Sequence, residues 1–168
     1  MGATIDVVFD DRPVLDALAR LEAVGAGAVQ LMTVLGSALA DSTRLRFSSN
    51  IAPDGNKWAA LNPAYAELRR PGPILVQGGH LRGSITFRPS AEEVKIGSPM
   101  IYAAVHQFGA RIEAKNVKSL VFQMGAGGGL VRVRAVTIPA RPYLGISAED
   151  EAMIEAETQA YLERVMAV

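Results

Sequence analysis

The apolar residues of this chain keep a helical period near its two ends and lose it in between, which restricts the fold to helices flanking a region of short pieces. Val14, Leu15, Leu18 and Leu21 form one stripe at helical spacing, preceded by Asp10, Asp11 and Pro13, which supply helix-start chemistry. Leu31, Met32, Leu35 and Leu39 carry a second run from about Ala28 to near Phe47. Between the two stand Gly25 and Gly27, each costing ~1 kcal/mol relative to alanine inside a helix, and they predict a break or a kink. At the other end Ser147 is placed to cap a helix from Ala148 to about Met166. Glu149, Asp150 and Glu151 lie in its first turn, where the helix dipole favours negative charge. Ahead of all this, residues 4–9 alternate Ile5, Val7 and Phe9 with Thr4, Asp6 and Val8, the pattern of a short half-buried strand.

The middle of the chain is punctuated by turn residues. Pro53-Asp54-Gly55 predicts a turn, with Trp58 just after it, and Pro71-Gly72-Pro73 stops a helical turn or two over residues 63–70. Residues 75–82 read as irregular or helical. Residues 84–88 and 93–96 read as strands joined at Pro89-Ser90-Ala91. A helix is expected over residues 100–108, ended by Gly109 as a left-handed cap. A second hairpin is expected from residues 120–124 and 130–136 around the tip Gly125, Gly127, Gly128 and Gly129. Helices and strands mix without strict alternation, and no linker interrupts them. The expectation is one α+β domain over residues 1–168: a small, mostly antiparallel or mixed sheet packed by two N-terminal helices and a C-terminal helix, with a protruding glycine-tipped hairpin.

The residue inventory removes several chemistries. There is no cysteine, so disulfides and thiolate sites are excluded. The start lacks a signal-peptide pattern. The richest apolar stretch, residues 23–40, is diluted by Gly25, Gly27, Gln30, Thr33, Gly36 and Ser37, so the expectation is a soluble protein made in a cytoplasm, with no membrane partner. His80 and His106 are the only histidines, too few for a zinc site, and no GxSxG elbow is present. The run Gly125–Gly129 lacks the Lys-Ser/Thr of a phosphate loop and leads into a strand, so no cofactor is expected. His106 as a general base stays open, against a reading in which its ring packs at a helix end and bonds backbone. Trp58 is either a core plug or an interface anchor.

Charge is segregated although the net is zero. Residues 1–43 carry two basic and six acidic side chains, residues 44–141 fourteen and five, and residues 142–168 one and six. Such separation favours ordered self-assembly or stacking on a partner. Arg44, Arg46, Arg82, Arg88, Arg111, Lys115, Lys118, Arg132 and Arg134 can form a basic surface, ordinary or lining DNA, but no DNA-reading motif accompanies them.

The strings Pro53-Asp54-Gly55 with Trp58 and Leu61, Gly79-His80-Leu81-Arg82 with Ser84-Ile85, Ile96-Gly97-Ser98, Ile101-Tyr102-Ala103-Ala104-Val105-His106-Gln107-Phe108-Gly109, and Ile138-Pro139-Ala140-Arg141-Pro142-Tyr143-Leu144-Gly145-Ile146-Ser147 follow one another in order. Together they resemble the phage virion morphogenesis family, which includes the Mu G-like proteins and the tail-completion protein S of P2-like phages. Gly78-Gly79 departs from the Thr-Gly of many relatives, and residues 112–137 match no block of the family. The resemblance implies a structural, non-enzymatic subunit of the head–tail junction, the neck or tail-completion connector of the virion. It implies small α+β subunits closing into a ring, a hexamer or dodecamer, around the DNA channel. Implied partners are further copies, other neck, portal-proximal or tail-tube proteins, and non-specific contact with packaged DNA. No catalytic, cofactor or metal residues come with it. Interface candidates are Trp58, Tyr102, His106, Gln107, Phe108, Arg141, Pro142 and Tyr143, with the hairpin-tip glycines. Arg141, between two prolines, is expected to pair a carboxylate or phosphate. The alternatives are a transient assembly factor absent from the mature particle and a His106-dependent hydrolase.

Overall fold

A computed structural model describes residues 12–115, 117–123 and 129–167. The expected strand over residues 4–9 and the tip residues Gly125, Gly127 and Gly128 lie outside them, as do the side chains of Val14, Leu15, Leu18 and Leu21.

Gly25 and Gly27 do not break the N-terminal helix. One α-helix, α1, runs unbroken over Arg12–Ser49 for 38 residues, where two helices were expected. The reason is tertiary. A Cβ on Gly27 would lie 2.3 Å from the Tyr161 hydroxyl, and that hydroxyl donates to the Val24 carbonyl at 2.5 Å. Tyr161 belongs to the C-terminal helix α5, Ala148–Met166, which packs along α1. Gly36 serves the same purpose lower down, since a Cβ there would lie 2.4 Å from Phe87. Gly27 and Gly36 are notches for close approach, and the packing they permit outweighs their propensity cost of ~1 kcal/mol each; Gly25 has nothing within 4 Å and is carried by the helix around it. Asn50, at φ 57, ends the helix in a left-handed conformation, with its amide donating to the Arg46 carbonyl at 2.8 Å.

The central region holds three short helices, α2 (Pro63–Leu68), α3 (His80–Gly83) and α4 (Ala103–Phe108). Strands β1 (Thr86–Pro89) and β2 (Val94–Gly97) form the expected hairpin, which lies on α1. The other strands are β3 (Ala110–Glu113), β4 (Leu120–Gln123), β5 (Leu130–Val133) and β6 (Ala135–Ile138). The expected strand over residues 130–136 is divided at Arg134: β5 pairs with β4, and β6 pairs with β3, which sequence reading missed. Ala114 donates to the Arg134 carbonyl at 3.0 Å, so the two pairs run on as one nested antiparallel ribbon. The strands thus make three two-stranded antiparallel pairs and not one sheet. Gly109 also differs from expectation: at φ 74 and ψ 165 it is extended with positive φ, not a left-handed helical cap.

Over Val24–Ser49, α1 is long and apolar enough by length and composition to cross a membrane, contrary to the dilution argument. Its Leu35, Leu39, Ala40 and Phe47 lie in the protein core, while Val29, Val34 and Leu45 of the same helix are exposed. That core gathers Phe47, Trp58, Leu81, Ile85, Ala103 and Tyr143. The Phe47 ring meets Trp58 edge-on at 5.5 Å and Tyr143 at 5.2 Å.

Candidate functional site

The two strongest sequence blocks, residues 101–109 and 138–147, meet in space. Pro139 and Pro142 keep the arm before α5 extended and remove two amide donors from it, so its remaining polar groups must find partners elsewhere. Gln107, on α4, supplies several. Its Oε1 accepts from the amides of Tyr143 and Leu144, both at 3.0 Å, and its Nε2 donates to the Leu144 carbonyl at 2.9 Å. The Tyr143 hydroxyl donates to the Ala103 carbonyl at 3.2 Å, and burial pushes that phenol's pKa up. Trp58 Nε1 donates to the Pro142 carbonyl at 2.7 Å.

Arg141 does not pair with a carboxylate or leave its fork for a phosphate, as expected from sequence. It is buried, with Nε donating to the Ala59 carbonyl at 2.8 Å and Nη2 to the Ala60 carbonyl at 3.0 Å, and burial lowers its pKa. Its amide donates to the His106 carbonyl at 2.8 Å, which closes the link to α4. Below the arm, Arg46 donates to the carbonyls of Tyr143 (2.9 Å) and Gly145 (2.8 Å) and pairs with Asp150, both side chains being buried. Asp150 Oδ2 also accepts from the Ser147 amide at 2.9 Å, and Ser147 Oγ accepts from the Asp150 amide, forming a capping box at the head of α5. Burial alone would raise the Asp150 carboxyl. Hydrogen bonds with Ser42 and Ser147 and the Arg46 charge hold it below its ordinary range.

Of the interface candidates, Trp58, Arg141 and Tyr143 are therefore spent inside the subunit, and Gln107 and Pro142 are half-buried parts of the same lock. Phe108 is 77% exposed and Tyr102 is also exposed, and neighbouring Ile101, which was not among the candidates, is 97% exposed. The ring of His106 meets Tyr102 edge-on at 5.9 Å. Its Nδ1 is buried with no hydrogen-bond partner among the described residues, so the expected backbone bond is not made through that atom. Burial first, then the Arg141 charge, lowers its pKa and keeps the imidazole neutral. Both histidines line a cleft of about 660 Å³ between the ribbon and residues 61–81, with Tyr65, Leu75, Phe122 and Val131 among its walls. Among the described residues, no group of three or more His, Cys, Asp or Glu is placed to hold a metal.

The expected basic surface divides. Arg46 is buried, and Arg44 bonds Asp41 and the Ile85 carbonyl, both at 2.6 Å. Arg111, Lys115, Lys118, Arg132 and Arg134 gather on the ribbon or the turn within it, and all are exposed. The Arg46–Asp150 pair went unseen in the sequence. The available signal was Arg46 falling on the buried stripe of Leu35 and Leu39 at helical spacing, since a charge on such a stripe calls for a buried partner.

These features define an α+β domain whose marked residues build internal structure and frame an exposed apolar edge. The chain belongs to the phage virion morphogenesis family, whose model matches residues 9–163. It is 31% identical over 157 residues to protein G of Escherichia phage Mu, named for capsid assembly, which covers 90% of this chain and 89% of the relative. It is 36% identical over 102 residues to the Mu-like prophage FluMu G protein 2 of Haemophilus influenzae, covering 60% and 61%. No solved structure matches.

Proposed function

We propose that this chain is a structural subunit of the phage head–tail junction, acting at the neck or in tail completion by closing into a homo-oligomeric ring through which DNA passes. It works by shape and charge complementarity, without turnover. The observation that carries the reading is the division of labour in the marked blocks: Gln107, Arg141 and Tyr143 bind inward, while Ile101 and Phe108, in the same block as Gln107, stand in solvent. Large apolar side chains left out by a well-bonded scaffold mark a surface that another protein covers. A ring would present that edge to a further copy or to a portal-proximal or tail-tube neighbour. Sedimentation and electron microscopy of the purified chain test the ring, and imaging of purified virions tests the seat. Monomers at all concentrations would defeat the first, and virions lacking the chain would defeat the second.

A second reading, a transient assembly factor, draws on the capsid-assembly name of the Mu relative. It predicts that the chain is found in assembly intermediates and missing from mature particles by mass spectrometry.

A further inference from the structure

The ribbon of β3 to β6 carries Arg111, Lys115, Lys118, Arg132 and Arg134 against a single acid, Glu113, which pairs with Arg111 at 2.7 Å. Lys115, Lys118, Arg132 and Arg134 make no ion pair among the described residues. The cations do not stand alone. Side chains alternate across the ribbon, so Phe122, Val131 and Val133 turn toward the cleft while Val121, Leu130 and Arg132 turn outward. Val121 is the cross-strand partner of Arg132, and Leu130 follows on the same face; they are 50% and 71% exposed. A phosphate backbone is held by cations and hydrogen-bond donors and gains nothing from exposed Val and Leu. A protein interface uses both apolar and charged groups.

The chain itself offers the complementary surface. Helix α5 turns Tyr161 and Asp150 inward and leaves Glu151, Glu155 and Glu163 exposed, with Leu162 and Met166 beside them. Next to this face α1 exposes Val34, and a shallow groove of about 200 Å³ runs between the two helices past Leu31, Glu157, Arg164 and Val165. A helix as apolar as α1 is expected to be covered on more than one side. Acid with apolar on the helices answers base with apolar on the ribbon.

We infer that the outward face of the ribbon of one copy docks on the α1/α5 face of a second copy. Two different surfaces then meet, and such a contact repeats from copy to copy until it closes as a ring. This rests on the self-assembly reading above and names the contact that reading leaves open.

The absence of cysteine makes the test clean. Full-length Val121→Cys and Glu155→Cys proteins are prepared separately, mixed and oxidised, while sedimentation follows assembly of the unmodified chain. Disulfide-linked dimers in the mixture, and at least tenfold fewer with either variant alone, are expected. In parallel, Arg132→Glu/Arg134→Glu should weaken assembly at least tenfold, and mixing it with Glu151→Lys/Glu155→Lys should restore it. Assembly of the unmodified chain without mixed dimers overturns the ribbon contact and leaves self-assembly standing; no assembly at all overturns both. If the ribbon reversal leaves assembly intact but abolishes retention of duplex DNA, the ribbon's partner is nucleic acid and the inference fails.

Discussion

Removing the Asp150 carboxylate should destabilise this protein far more than removal of a typical ion pair. Asp150 holds two things at once: the Arg46 guanidinium and the Ser147 amide, the latter being its half of the capping box at the head of α5. In Asp150→Ala the Arg46 charge stays buried with only the carbonyls of Tyr143 and Gly145 and the Ser42 hydroxyl around it. Stripping one partner from a buried pair costs roughly 3–5 kcal/mol, against ~0–1 kcal/mol at the surface. The lost hydrogen bond to the Ser147 amide adds ~1 kcal/mol. At about 2–4 °C per kcal/mol for a chain of this size, the midpoint should fall by at least ~8 °C in thermal unfolding followed by circular dichroism. The companion variant, Asp150→Ala with Arg46→Met, separates burial from contact: with the charge gone, most of the loss should return. A single variant losing under ~1 kcal/mol, or a double variant worse than the single, would refute the account of a buried charge in need of its partner.

Further tests bear on other joints of the fold. Gly27→Ala should destabilise by ~1–3 kcal/mol, because its Cβ would strike Tyr161, whereas Gly25→Ala, with nothing within 4 Å, should stabilise by up to ~1 kcal/mol; urea denaturation of the pair checks both signs. Gln107→Ala strands the Tyr143 and Leu144 amides and should cost roughly 2–3 kcal/mol, with faster hydrogen exchange at those two amides as the local readout. His106 has its pKa lowered in the folded chain, so the unfolded chain binds the proton more readily; stability should decline as pH falls below ~6.5, the unfolded value, and level off once pH is below the folded one. His106→Phe should remove that acid-side loss from a series of unfolding curves between pH 7 and pH 5. The loss carried by Asp150, whose folded pKa is depressed, comes only at lower pH, below the unfolded carboxylate value of ~3.9.

What could be read from the sequence was the part governed by local chemistry. The capping box at Ser147, the β1–β2 hairpin and the turn at Pro53-Asp54-Gly55 depend on residues within a few positions of one another, and their signals survive in one dimension. The errors all involve distant partners. Gly25 and Gly27 read as breakers because their propensity cost is local, while the Tyr161 side chain that Gly27 admits lies 134 positions away along the chain. β3 was missed because the alternation of Ala110, Arg111, Ile112 and Glu113 is only four residues long, the bare minimum for a strand signal; pairing with β6 secures it. Arg141 advertised a bidentate salt bridge, and only the fold reveals that the carbonyls of Ala59 and Ala60 fill that fork.

The same distinction bears on where assembly specificity resides. The family's recognisable strings mostly encode how α4, the Pro-Arg-Pro arm and the head of α5 are held together, a requirement any member with this scaffold must meet. Selection for such contacts is selection on a subunit's own stability, and it says little about which neighbour the subunit meets. Residues 112–137, which lie outside the strings that carry the resemblance although the family model spans them, build the greater part of the ribbon, with its exposed Leu130 and four cations that make no ion pair among the described residues. The ribbon is therefore, beside the edge of Ile101 and Phe108, where the subunit's contacts should be sought.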